Sequence, residues 1–191
     1  MRSSKLCPSE TFASFMQKAK QLDLSPIAYQ LMYNDYGPQW SKEETVKAIA
    51  HYLGFLYLAD KYPRLTLVPS YEIDQVWHYH ILDTSKYMDD CMMLFGYIVH
   101  HFPYLGLRDE QDQAHQHKAY ALTQALLRKH FQGISIESDT TPSDCEPIME
   151  LSHSISCQSV EEERLPVPSK REIRPRVALS MEAIFDKLQS A

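Results

Sequence analysis

Between Ser41 and Pro63 the sequence leaves the backbone little choice. Ser41-Lys42-Glu43-Glu44 has the form of a capping box, in which serine and glutamate satisfy the free donors at a helix start. Val46, Ile49, Leu53 and Leu56 then follow one helical face, with Asp60 at its end. Tyr62-Pro63 closes the helix, because a residue before proline avoids the α region.

The same punctuation recurs along residues 1–133. A first helix is predicted from about Pro8 to Leu22, with Phe12, Phe15, Met16 and Ala19 on one stripe. Ser25-Pro26 opens a second, which stops near Gly37. After the extended connection Leu65-Thr66-Leu67-Val68, Pro69-Ser70 prepares a fourth. Asp83 or Thr84 caps a fifth, whose face of Tyr87, Cys91, Leu94, Phe95, Ile98 and Phe102 runs on to Pro103. Asp109, Glu110 and Asp112 place acids at the start of a sixth, where the helix dipole favours them. It continues through Ala121, Leu122, Ala125 and Leu126 to Phe131, and Gly133 suits its end. The fold expected is all-α: a single domain of about six helices.

Past Gly133 the pattern changes. Residues 134–163 hold eight acidic residues and no Lys or Arg, whereas 164–176 hold five basic residues against Glu172. Rich in Ser and Pro and without helical period, residues 134–178 read as a flexible, partly disordered linker. Residues 179–191 then form a short amphipathic helix, marginal alone, which docks either on the core or on a protein partner.

Charge and cysteines narrow the function classes. A formal charge of −6 argues against nucleic acid, which needs a basic face. Cys7, Cys91, Cys145 and Cys157 share no CxxC spacing and read as free thiols in a reducing compartment. MRSSKLCPSE lacks an apolar core for a signal peptide, and the most apolar run, Ala48 to Ala59, is too short to span a bilayer. A cytoplasmic protein with no membrane association is expected.

The chemistry concentrates in Glu72-Ile73-Asp74-Gln75-Val76-Trp77-His78-Tyr79-His80-Ile81-Leu82-Asp83, followed by His100-His101. No histidine pairs with a cysteine at metal spacing, so any metal would take nitrogen and oxygen ligands, which suits Zn2+ or Fe2+. Asp74 and His78 are four apart and share a helix face, so the carboxylate either ligates the ion or orients the imidazole. His80 lies about 200° around an ideal helix from His78. In a regular helix Trp77 and His80 pack elsewhere; if the backbone opens near Tyr79, His78 and His80 converge. His101 is the third candidate, although a helix from Asp83 to His101 would be about 27 Å long and overshoot His78. The competing view is a structural network of histidines hydrogen-bonded to carboxylates, with Trp77 as a core anchor. His115 and His117, two apart on one helix, read as surface residues.

The block Asp74-x-x-Trp77-His78-x-His80, with Asp89-Asp90-Cys91 and His100-His101-Phe102-Pro103-Tyr104 after it, resembles the glycine-rich domain-containing protein-like family over about residues 10–132. The resemblance implies a largely uncharacterised family and carries no enzymatic activity over. Five glycines and no glycine-rich tract set this chain apart from longer plant members. Two functions are therefore expected of such a chain. One is a helical module with a divalent metal site at His78, His80, His101 and Asp74, where an open coordination position would permit hydrolysis or oxygen chemistry. The other is a non-enzymatic interaction module whose tail binds a partner.

Overall fold

The computed structural model describes residues 11–131 and 174–189. Within them lie seven helices and no β-strand. They are α1 (Phe12–Ala19), α2 (Ser25–Tyr33), α3 (Lys42–Lys61), α4 (Tyr71–Leu82), α5 (Thr84–Phe95), α6 (Glu110–His130) and α7 (Met181–Gln189). The all-α architecture expected from the helical spacing is thus present. Most of the predicted linker, its residues 134–173, falls outside the described residues, as do Cys7, Cys145 and Cys157. Among the described residues no helix is long and apolar enough to cross a membrane.

α3 forms the axis of the molecule. Its capping box forms as read: the Ser41 hydroxyl accepts from the Glu44 amide, and the Glu44 carboxylate accepts from the Ser41 amide at 2.8 Å. The expectation of one apolar stripe was too narrow. Every residue from Tyr52 to Leu58 is buried, because α1, α2, α4, α6 and α7 all pack around this helix. A helix that is apolar all round belongs in an interior. Gly54 is one point of close approach. A Cβ there would stand 3.2 Å from Phe131 and 3.4 Å from Leu188, so its absence lets the end of α6 and α7 close onto α3.

α7 docks on the core. Ile184, Phe185 and Leu188 are buried in the same apolar cluster as α3. The chain leading into it is held by Arg174, whose guanidinium grips both carboxylate oxygens of Asp83, one at 2.8 Å, and by Arg176 on Asp23 at 3.1 Å.

Two other expectations change. The buried face of α6 is Asp112, Gln116, Ala119, Thr123, Gln124 and Leu127, while Ala121, Leu122 and Ala125 face out. Apolar count misled here because polar side chains such as Asp112 and Thr123 turn inward to hydrogen-bond the neighbouring chain. Thr123, for example, accepts from the Val68 amide at 2.9 Å and pins the connector ahead of α4. α5 stops at Phe95 rather than at Pro103: Gly96 adopts φ 77, a left-handed cap, and the chain leaves the helix there.

Candidate metal centre

α4 is regular from Tyr71 to Leu82, so Asp74, Trp77 and His78 stand on one face at i, i+3 and i+4. His101 reaches that face from the extended chain after α5. The early stop at Gly96 removes the overshoot that a helix running to His101 would have caused.

Trp77 organises the return. Its indole N–H donates to the Tyr87 hydroxyl at 2.9 Å, and that hydroxyl donates to the carbonyl of Val99. Two residues later the His101 ring meets Trp77 edge-on, with centroids 4.6 Å apart. The other side of Trp77 packs on Phe55 of α3.

One carboxylate serves both histidines. His101 Nε2 lies 2.8 Å from Asp74 Oδ1, and His78 Nε2 lies 3.5 Å from Asp74 Oδ2. The imidazoles are tilted neighbours with centroids 4.9 Å apart. One ligand atom from each of Asp74, His78 and His101 falls within 4.8 Å of the others. A zinc ion with bonds of about 2.0–2.2 Å and tetrahedral angles places its ligand atoms about 3.4 Å apart. His78 Nε2 is near that spacing from Oδ2, whereas His101 Nε2 is closer than it to the other oxygen, Oδ1, so a small shift of the side chains would bring one oxygen and both nitrogens around one ion.

The environment suits ligation. Asp74 is 2% exposed, and burying a carboxylate requires a compensating charge or hydrogen bonds. Burial lowers the His78 pKa from its ordinary value; Asp74 opposes the shift and His101 adds to it. His78 is therefore neutral at physiological pH and has a lone pair to offer. Asp74 and His101 line a cleft of about 340 Å3, together with Trp77, Leu67, Val68 and Leu105; His78 stands outside its lining.

The structure does not bring His80 to this cluster. Regular helix carries it to the opposite side, as helical phase requires, where it is 1% exposed. Its Nδ1 is 2.9 Å from the Tyr52 hydroxyl and its Nε2 is 3.0 Å from Asp90 Oδ2, which also receives Lys86 Nζ at 2.7 Å. One neutral tautomer satisfies every contact: Tyr52 donates to Nδ1, and Nε2–H donates to Asp90. Burial lowers the His80 pKa, outweighing the hydrogen bond and charge of Asp90. Burial would raise the Asp90 carboxyl, but hydrogen bonds from His80 and Lys86 hold it below the ordinary value.

Sequence reasoning missed Tyr52 and Asp90 as partners of His80. The Lys86–Asp90 pair is visible at i, i+4, but Tyr52 comes from another helix and leaves no local signal. His115 and His117 are exposed, as their positions predicted. His51, half-buried on α3, has a pKa lowered to about 4 by burial and by the nearby Lys47 charge.

A helical domain built round one apolar helix, with a His/Asp cluster where α4 meets the chain beyond α5, is the class these features define. The chain belongs to the UCP032817-like family, whose sequence pattern matches residues 18–129. It is also 32% identical over 100 residues to Glycine-rich domain-containing protein 1 of Arabidopsis thaliana, and 36% identical over 59 residues to Glycine-rich domain-containing protein 2 of the same plant. Those matches cover 47% and 29% of this chain but 12% and 8% of the two relatives. The resemblance inferred from the motif is borne out at the level of the family. No solved structure matches the chain.

Proposed function

We propose that this domain is a divalent-metal-binding module in which Asp74 Oδ, His78 Nε2 and His101 Nε2 hold Zn2+ or Fe2+. One observation carries the reading: a buried carboxylate is shared by two imidazoles whose Nε2 atoms approach it from different segments, beside a cleft that Asp74 and His101 line. Three protein ligands leave coordination positions free, as in catalytic rather than purely structural sites. The nitrogen and oxygen donor set suits either ion. His80 lies outside the ligand set, since both its nitrogens are engaged elsewhere. The buried free thiol of Cys91 is in keeping with a reducing compartment such as the cytosol.

The alternative places function in a partner-binding tail. α7 has its apolar side chains in the core, so a partner would meet residues 134–173 instead. Elemental analysis of the purified chain and calorimetric titration with Zn2+ test the first reading. Stoichiometric binding, lost in Asp74→Asn, is the expected result; a chain that neither retains nor takes up Zn2+ or Fe2+ sinks it.

A further inference from the structure

The cleft beside Asp74 and His101 has a chemical character of its own. Its volume of about 340 Å3 is at the small end for a ligand site. Leu67, Val68, Trp77, Pro103 and Leu105 give it an apolar wall beside the polar Thr66, His100 and Gln116, and Phe102, also on its lining, is 69% exposed. Tyr104 meets Phe102 edge-to-face, with ring centroids 5.5 Å apart. No Lys or Arg lines this cleft among the described residues.

Building on the metal reading, we propose that the ion turns its free coordination positions into this cleft and binds a small aromatic monoanion, an arenecarboxylate or its equivalent. The head group follows from charge. A divalent ion neutralised once by Asp74 retains one positive charge, which a carboxylate balances. A polyphosphate would bring more negative charge than the site can meet, because phosphate recognition draws on several cationic donors. The body follows from the wall. An aromatic ring would bury against Trp77 and Leu105 and meet Phe102 in the offset or edge-on geometry that aromatic pairs prefer.

The test uses the full chain loaded with Zn2+ and titrated with benzohydroxamate, acetohydroxamate and pyrophosphate. The two hydroxamates share a chelating monoanionic head and differ in the ring. Benzohydroxamate should bind at least tenfold more tightly than acetohydroxamate. Phe102→Ala, at an exposed position that leaves the core intact, and Leu105→Trp, which fills the cleft, should each reduce that preference to under threefold while Zn2+ affinity is retained. Zn2+ binding with no preference between the hydroxamates, or with pyrophosphate the tightest ligand, overturns this inference and leaves the metal reading standing. Failure to bind either Zn2+ or Fe2+ overturns both.

Discussion

The two faces of α4 carry the same residue type to opposite ends. His80 faces inward, where Tyr52, Asp90 and Lys86 match each polar atom with a partner. His78 lies on the outer side with its side chain one-third exposed, sharing Asp74 with His101. A satisfied, enclosed imidazole holds helices together, because each hydrogen bond would be costly to leave unmade. Imidazoles that converge on one carboxylate beside open space can exchange that arrangement for a cation. The difference lies in partners and access, not in the residue.

Trp77 touches both sides and should give the largest effect. Trp77→Ala removes a buried side chain between Phe55 and His101, costing about 3–5 kcal/mol in urea unfolding. It should also abolish metal binding by releasing His101. A variant that keeps Zn2+ affinity would show that His101 is positioned without Trp77.

The two histidines should then separate cleanly. His78→Ala should weaken Zn2+ by on the order of 100-fold or more, since even residues behind the ligands reach that scale. It should change stability by less than about 1 kcal/mol, as expected for a partly exposed position. His80→Ala should do the reverse. Orphaning the Tyr52 hydroxyl and part of the Asp90 carboxylate costs about 2–3 kcal/mol, with Zn2+ affinity changed less than about threefold. Equal metal losses in both variants would erase the distinction between the faces.

Acid should act gently and on the interior. The native pKa values of His80 and His51 lie below the unfolded value of 6.5, that of His51 at about 4. As pH falls below the unfolded value, the unfolded chain binds protons that the native chain refuses, so stability declines. For His51 the decline should run from about pH 6.5 to about 4 and then level. Urea midpoints across that window should fall with pH, and His51→Gln should flatten the slope.

Much of the fold was legible because helix ends are local. The capping box at Ser41, the Asp83 cap and the Asp109 cap each depend on residues within one turn, and each forms. Half of the centre was legible for the same reason: Asp74, Trp77 and His78 share a face whenever residues 71–82 are helical. Spacing could not supply the other half. Whether His101 arrives depends on where α5 ends, and the left-handed Gly96 ends it early.

Local sequence thus determined which segments are helices and which side chains share a face, since helical geometry repeats every few residues. Tertiary structure decided which faces matter. α3 became the axis because five helices cover its apolar stretch from Tyr52 to Leu58, and α7 found its place because Gly54 leaves room. His101 joins Asp74 while His80 joins Tyr52 and Asp90, because those encounters join residues from separate segments and depend on how the helices pack.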